Sequence, residues 1–191
     1  KDGRGFSFQK DEPLLMTFGS EPVLGFTAKD IVNEWDEENI EAIIRAYGEE
    51  SFSKKIAEAI VEEREKFGEA GIKTSFELRD IILKAVPVWY RFKRIHPATK
   101  TFQALRIAVN DELRALEDGL KGAFEIIPKS GVVAVISFHS LEDRIVKRFF
   151  RDLADSEQGL LLTKKPIGPT EEEVRENSRS RSAKLRAVQK I

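Results

Sequence analysis

Apolar residues recur at helical spacing in two parts of this chain. Between Thr27 and about Val86 they return every three to four positions, which predicts several amphipathic helices. The same spacing from about Ala98 to Ile127 predicts one long helix. Residues 1–22 keep no sustained period and are rich in Gly, Pro and polar residues, so they are predicted to form an ordered loop.

Residues that cap helix N-termini mark where the helices of the first part begin. The predicted starts are Thr27 with Asp30, Asp36, Ser51, and a capping box of Thr74 with Glu77. Apolar stripes follow the last two starts; they consist of Ile56, Ala59, Ile60 and Phe67, and of Leu78, Ile81, Ile82 and Ala85. Pro87 ends the fourth helix, because the residue before a proline avoids the helical conformation.

The run Val132–Ile136, which follows a glycine, predicts a strand buried on both faces, as in a parallel α/β sheet. Ser140 and Asp143 have the spacing of a capping box, with Asp in place of the usual Glu, and predict that a helix follows at once. Further strands are predicted at Leu160–Thr163 and Ala183–Ile191, and a helical turn is predicted at Thr170–Glu176. This order is typical of the closing half of a doubly wound α/β sheet.

Ligands bind open α/β sheets at the carboxyl ends of strands, which is where Ser137, Phe138 and His139 would lie. A hydroxyl, an aromatic ring and an imidazole at that edge indicate a site. A core strand, a capped helix and a hydrogen-bonded histidine are the alternative. A glycine-rich cofactor turn is absent from the sequence, since Gly3 and Gly5 precede an irregular loop with no strand before them.

Composition narrows the class of protein. The absence of cysteine excludes disulfides and thiolate metal sites, and two distant histidines do not predict a zinc site, so no metal is expected. No apolar stretch approaches membrane-spanning length and no signal peptide opens the chain, so a cytoplasmic protein is expected.

Charge is segregated along the chain although the net charge is only -1. Residues 30–80 carry 15 acidic and 7 basic side chains, whereas residues 81–110 carry 6 basic and no acidic ones. Residues 177–191 carry 5 basic and no acidic side chains, and residues 89–100 interleave aromatic with basic residues. Local positive potential makes nucleic acid a plausible partner, with a solvated basic surface as the alternative.

Five segments carry a resemblance to a known family: RGFSFQKDEPLLM, YGEESFSKKIAEAIV, HPATKTFQALRIAVNDEL, ISFHSLEDRIVKRFF and SRSRSAKLR, in that order. Together they resemble the bacterial S-adenosylmethionine-dependent 16S ribosomal RNA cytosine-N4 methyltransferases, the RsmH or MraW family. The family's glycine-rich cofactor loop, ribose-binding acid and DLGVSS-type segment have no counterpart here, so the resemblance implies a chain lacking the N-terminal cofactor-loop half. An LDMRMD-type run is usual where this chain has Leu14–Gly19, and a proline is usual at Ser178.

The fold that the resemblance implies is a Rossmann-like methyltransferase, α/β in class, with an inserted helical domain. Residues 1–20 and 98–191 are expected to form the incomplete Rossmann-like domain, the C-terminal half of its sheet. Residues 21–97 are expected to form the insertion. The acidic helical block found independently in the sequence agrees with that division.

The function that the resemblance implies is methylation of a cytosine exocyclic amine, with S-adenosyl-L-methionine as cofactor. Ser137, Phe138 and His139 are the expected catalytic residues: Ser137 and His139 would contact the amine, and Phe138 would stack on the flipped base. Arg4, Phe6 and Ser7 directly follow the missing cofactor segment in the family order and are expected to cover the cofactor; packing is the alternative for Phe6.

Six residues are expected to bind the RNA substrate: His96, Arg106, Asn110, Arg179, Arg181 and Lys184. Arg106 and Asn110 lie four apart on one helix face, where a satisfied interdomain hinge is the alternative. Small residues alternate with the Arg179–Lys184 set and leave its charges uncovered, with an ordinary exposed edge strand as the alternative.

The expected partner is 16S ribosomal RNA or the small ribosomal subunit, and not DNA or a membrane; a homodimer is a further expectation. The alternative function is a non-catalytic RNA-binding or interaction module derived from the enzyme.

Overall fold

A computed structural model describes residues 3–191, so Lys1 and Asp2 of the predicted opening loop lie outside the described residues. Contacts divide the described residues into two compact units, with the division between Glu112 and Leu113. The domain division expected from the resemblance, 1–20 with 98–191 against 21–97, stays a prediction.

Helices dominate the first unit after an irregular segment that runs to Thr27. Their bounds are α1 (Ala28–Glu34), α2 (Glu37–Gly48), α3 (Ser53–Phe67), α4 (Ser75–Ala85), α5 (Val88–Arg91) and α6 (Ala98–Asn110). The core contains mainly aliphatic side chains from these helices, joined by Leu14 and Met16 of the opening segment. Helix α2 lies close to α6 at Gly48, where a Cβ atom would stand 2.7 Å from the carbonyl oxygen of Lys100.

Most predicted helix starts of the first unit are confirmed. Thr27 with Asp30 and Thr74 with Glu77 form complete capping boxes, and Asp36 caps α2. The start at Ser51 is wrong, because its hydroxyl donates to the Glu50 carboxylate and α3 begins at Ser53 without a side-chain cap. Phe67 ends α3 in an exposed position, so the apolar stripe of that helix stops short of it.

The second unit alternates helices and strands. Its elements are α7 (Glu112–Ile126), β1 (Val132–Ser137), α8 (Ser140–Asp155), β2 (Gly159–Leu161), α9 (Glu171–Glu176) and β3 (Lys184–Lys190). The three strands of this unit form one sheet in the order β1–β3–β2, with β3 antiparallel to both neighbours. Its core contains Leu120, Phe124, Val133, Val146, Phe150, Leu153 and Val188. The α/β class predicted from the sequence is confirmed.

Strand β1 is buried on one face only, so the predicted burial on both faces is wrong. Val133 and Ser137 are buried, while Val132 and Ile136 point to the opposite face and are exposed. Because β1 pairs in antiparallel register, with Val133 opposite Val188, the expected parallel pairing between neighbouring strands is also wrong for the described sheet. A continuous apolar run resembles a doubly buried strand in sequence even when one of its faces is open.

The long helix predicted for residues 98–127 is two helices. Asp111 adopts a left-handed conformation with φ of 48° and ends α6, and α7 begins at the next residue. An aspartate tolerates this conformation better than most residues, and it interrupts the helix without interrupting the apolar spacing. The hydrophobic period alone therefore did not reveal the break.

No helix within residues 3–191 is both long enough and apolar enough to cross a membrane.

The break at Asp111 predicts opposite effects of glycine at two nearby positions. Asp111→Gly leaves the free energy of unfolding unchanged or raises it by up to about 1 kcal/mol, because glycine adopts a positive φ without steric cost. Ala115→Gly, at an exposed position inside α7, lowers it by about 1 kcal/mol. Urea unfolding followed by circular dichroism measures both. Equal losses of stability at the two positions would indicate one continuous helix.

Candidate functional site

The turn from β1 to α8 carries the three expected catalytic residues. Ser137 ends the strand and is only 3% exposed, and its hydroxyl donates to the carbonyl oxygen of Lys184 at 3.5 Å. Phe138 is 53% exposed, so its ring is the most accessible side chain of the three. The end of β1 therefore exposes the Phe138 ring to solvent, while the neighbouring Ser137 is buried and hydrogen bonded to β3.

His139 caps α8, so the predicted capping box of Ser140 and Asp143 is wrong. The Nδ1 atom of His139 accepts from the Glu142 N–H at 3.3 Å. The Glu142 carboxylate accepts in return from the N–H groups of Phe138 at 2.8 Å and His139 at 3.2 Å. The box is shifted by one residue because α8 begins at Ser140 rather than after it.

Asp143, freed from capping, forms a buried ion pair that the sequence did not predict. Its Oδ1 accepts from Arg186 Nε at 2.7 Å, and its Oδ2 accepts from Lys184 Nζ at 3.2 Å. The Arg186 and Asp143 side chains are 8% and 13% exposed. Hydrogen bonding from Arg186 holds the pKa of Asp143 below its usual value, with a further contribution from Lys184. This pair joins the first turn of α8 to β3.

Two of the three predicted phosphate-binding residues at the C-terminal end stand exposed. Arg179 and Arg181 lie in a 3₁₀ turn, Ser178–Ser182, and both are exposed. Lys184 instead contacts Asp143. The alternative of an exposed edge strand is wrong, because these arginines precede β3 and β3 is the central strand of the described sheet.

Arg4 and Asn110 meet on one loop of the first unit. The Nη1 atom of Arg4 donates to the carbonyl oxygens of Thr17, Phe18 and Gly19 at 2.9, 2.9 and 2.8 Å. Asn110 is buried; its Nδ2 donates to the Met16 carbonyl at 2.7 Å and its Oδ1 accepts from the Phe18 N–H at 2.9 Å. Both side chains hold the backbone of residues 16–19 in place.

Phe6 and Ser7 also make local contacts. The Phe6 ring stacks on Phe18 with centroids 5.5 Å apart. The Ser7 hydroxyl accepts from the Gln9 N–H at 3.1 Å. The packing alternative given for Phe6 therefore has a partner in the structure.

Arg106 and His96 lie at opposite ends of α6. Arg106 forms two hydrogen bonds with the Glu112 carboxylate, at 2.7 and 3.0 Å, and its carbonyl oxygen accepts from Asn110 Nδ2. His96 stacks on Phe8 at 4.5 Å, and its Nδ1 accepts from the Ala98 N–H. Burial, with the nearby charge of Arg79, lowers the pKa of His96, so the imidazole is neutral near pH 7.

The expected cofactor residues do not fit S-adenosylmethionine as a binding set. Arg4 Nη1 already serves three carbonyl oxygens, and the Phe6 ring already stacks on Phe18. A cofactor of this kind is normally held by backbone N–H groups of a glycine-rich turn between a strand and a helix. Within the described residues, the first strand followed directly by a helix is β1, and the turn after it, Phe138–His139, contains no glycine.

Sequence reasoning missed the structural contacts of four polar residues: Glu142, Asp143, Arg186 and Lys190. The Lys190 ammonium donates to the carbonyl oxygens of Phe124, Glu125 and Ile127 at the end of α7. Of the four residues, Glu142 had a sequence signal, because it lies three residues after His139, the spacing of a capping box. Asp143, Arg186 and Lys190 contact residues that are distant in sequence, and strand pairing and helix packing bring these residues together, so local spacing does not reveal the contacts.

Comparison with known proteins assigns the chain to a family. The MraW methylase family model matches residues 1–191, so the chain belongs to the MraW methylase family.

Two curated relatives share one name. The protein named Ribosomal RNA small subunit methyltransferase H from Sulfurihydrogenibium sp. (strain YO3AOP1) is 50% identical over 188 residues, which cover 98% of this chain and 62% of that protein. Its namesake from Persephonella marina (strain DSM 14350 / EX-H1) is 49% identical over 191 residues, 100% of this chain and 64% of that protein. This chain thus spans less than two thirds of the length of either relative.

The Asp143–Arg186 pair predicts a decrease of stability in acid. The unfolded chain protonates Asp143 at its ordinary pKa, about 3.9, and the folded chain does so only at lower pH. The pair's stabilisation is therefore present above about pH 4 and disappears as the pH falls through the lower folded value. Asp143→Asn lowers the free energy of unfolding at pH 7 by about 3 kcal/mol, because Arg186 stays buried without its counter-charge.

Urea unfolding between pH 3 and pH 7 measures this effect. Asp155→Asn, at an exposed position at the end of the same helix, is the matched control and changes stability by less than about 0.5 kcal/mol. Equal stability of the two variants at pH 7 would contradict the structural role of the pair.

Proposed function

We propose that this chain is part of an S-adenosylmethionine-dependent methyltransferase that modifies the exocyclic amine of a cytosine in 16S ribosomal RNA. The observation that carries the proposal is the match of residues 1–191 to the MraW methylase family, supported by 50% identity to a relative named Ribosomal RNA small subunit methyltransferase H. The match establishes the family of this chain. The methyl donor, the RNA substrate and the small ribosomal subunit are proposed for it, because the chain spans only 62% of that relative.

The proposed fold is the C-terminal half of a Rossmann-like sheet, formed by residues 98–191 with residues 1–20, and an inserted helical domain of residues 21–97. The alternation α7–β1–α8–β2–α9–β3 supports the sheet half. The helices α1 to α5 all lie inside the proposed insertion. Arg4, Phe6 and Ser7 make internal contacts and do not form a cofactor site by themselves, so their expected role in covering the cofactor stays a prediction.

Chemistry at a cytosine amine depends mainly on positioning. The nitrogen lone pair is delocalised into the ring, so a protein must hold the base in line with the methyl donor and accept hydrogen bonds from the amine. The exposed Phe138 ring supports stacking of an extruded base, and the buried Ser137 with the capping His139 holds the backbone beneath that ring. These three residues remain the proposed contacts of the reacting base.

The test of this proposal uses a polypeptide of the relatives' full length that contains these 191 residues. His139→Ala is expected to lower single-turnover methylation of small-subunit RNA about 100- to 1000-fold, the cost of removing one positioned polar group. Its free energy of unfolding falls by only about 1 kcal/mol, the cost of removing a helix cap.

Glu142→Ala is the matched control for His139→Ala, because it removes the other half of the same capping box. It is expected to lower stability to a similar extent while the methylation rate per folded molecule changes less than about threefold, under 1 kcal/mol. If His139→Ala and Glu142→Ala lower the methylation rate equally, His139 acts only by capping α8 and does not contact the reacting base. No methylation by the parent polypeptide would favour the non-catalytic RNA-binding module.

The exposed Arg179 and Arg181 are proposed to bind RNA phosphates. Each phosphate contact releases counterions, so the double variant Arg179→Ala/Arg181→Ala is expected to flatten the dependence of log K on log salt by about 0.7 to 0.9 for each residue. Filter binding of a 16S fragment to the 191-residue chain, from roughly 50 to roughly 300 mM salt, measures the slope. Lys54→Ala/Lys55→Ala, which removes two exposed charges from the acidic helical block, leaves the slope unchanged. If the slope of log K against log salt is the same for both double variants, Arg179 and Arg181 do not bind RNA phosphates.

A further inference from the structure

The segment Val88–Ile95 exposes large apolar and basic side chains together. Trp89 is 60% exposed and Phe92 is 83% exposed, although each ring would gain by burial. Helix α5 is only four residues long, and Phe92 already lies outside it. Neither ring belongs to the core of the first unit. Exposed aromatic rings in adjacent turns of a short segment indicate a binding surface.

The surface is anchored by Tyr90, whose side chain points inward and which lies between the two exposed rings in sequence. Its hydroxyl donates toward both oxygens of the buried Glu50 carboxylate, at 2.9 and 2.7 Å. Glu50 also accepts from the Phe52 N–H at 2.9 Å. Burial, followed by hydrogen bonding to Glu50, raises the pKa of Tyr90 to about 12, so the hydroxyl keeps its proton.

Aromatic packing continues from this anchor to the exposed ring of Trp89. Phe52 meets Tyr90 edge to face with centroids 4.7 Å apart, and Trp89 meets Tyr90 in the same way at 5.7 Å. Edge-to-face contacts fix a ring's orientation while leaving part of its face open. Trp89 is therefore held in place before any ligand arrives, which lowers the entropic cost of binding.

Positive charge surrounds the two rings. Arg91, Lys93 and Arg94 are all exposed, and the sequence has no acidic residue between Ile81 and Asn110. The Lys93 ammonium lies 5.1 Å from the Trp89 ring centroid and 4.8 Å from that of Tyr90.

We propose that Trp89 and Phe92 form a stacking platform for unpaired bases of an RNA strand, with Arg91, Lys93 and Arg94 on its phosphates. Aromatic faces within a basic surface are how proteins hold single-stranded nucleic acid. The inference rests on the proposed function for the identity of the strand as RNA. It assigns to residues 88–95 a role separate from the strand end at Ser137–His139.

A protein partner and a membrane fit the same surface less well. Protein interfaces are depleted of lysine at their apolar centre, whereas Lys93 lies directly against the Trp89 ring. Membrane-surface helices need a long apolar face, and α5 has four residues. An unpaired strand requires only spaced rings and nearby cations, which this segment supplies.

The chain's two tryptophans allow a direct test, because Trp35 can be replaced without touching the platform. Trp35 packs edge to face on Phe26, and Trp35→Phe leaves Trp89 as the single tryptophan reporter. Titration of this variant of the 191-residue chain with an unpaired oligouridine is expected to quench Trp89 fluorescence. An RNA duplex of the same length, whose bases are already stacked, is expected to quench it much less.

Affinity measurements separate stacking from charge. Trp89→Ala and Phe92→Ala are each expected to weaken binding of the unpaired oligonucleotide about five- to hundredfold, with little change in salt dependence. The triple variant Arg91→Ala/Lys93→Ala/Arg94→Ala is expected to flatten the salt slope by about 0.7 for each phosphate-binding side chain that it removes. Val88→Ala and Ile95→Ala remove exposed apolar side chains without a π face from the same segment and change affinity less than about threefold.

Three results would overturn the platform. They are an unquenched Trp89 at saturating oligonucleotide, equal decreases of affinity in the Val88 and Trp89 variants, and binding to vesicles of anionic phospholipid that exceeds binding to RNA. None of them depends on methyl transfer. If the full-length polypeptide methylates small-subunit RNA while Trp89→Ala binds oligonucleotide normally, the platform fails and the proposed function stands. If oligonucleotide quenches Trp89 fluorescence but the full-length polypeptide does not methylate small-subunit RNA, the platform is supported and the proposed reaction is wrong.

Discussion

The buried pair between Asp143 and Arg186 is the constraint on which the second unit depends. It joins the first turn of α8 to the central strand of the sheet, and both side chains are largely removed from water. A buried cation without its partner is costly, so this contact permits few alternative positions of the helix. Because the turn Ser137–His139 lies between β1 and α8, the same contact determines where the exposed Phe138 ring stands.

Polar residues of the first unit are used in a related way. Arg4 and Asn110 direct their hydrogen bonds to the backbone of residues 16–19, and Arg106 pairs with Glu112. Buried polar groups in proteins are rarely left without partners, and these contacts give each of the three side chains a structural role. Arg4 and Asn110 hold the loop of residues 16–19, and Arg106 joins α6 to the first residue of α7.

The exposed side chains proposed to bind RNA are aromatic or basic. Phe138, Trp89 and Phe92 expose their rings, and Arg179, Arg181, Arg91 and Arg94 are exposed. Residues 30–80 carry 15 of the 33 acidic side chains, whereas residues 81–110 and 177–191 carry none. A near-zero net charge is therefore compatible with local attraction for a polyanion, because interactions between exposed charges are screened beyond about 10 Å at 0.1 M salt.

Sequence alone determined the features that depend on near neighbours. The capping boxes at Thr27 and Thr74 and the strand after Gly131 each depend on residues that are close in sequence. The charge segregation and the family segments are properties of the sequence itself. Tertiary structure decided what depends on distant residues: one open face of β1, the break at Asp111, the inward Tyr90 and the pairing of Asp143 with Arg186. The hydrophobic period continues through a left-handed residue, and a carboxylate takes whichever partner folding brings to it, so local spacing could not reveal these four features.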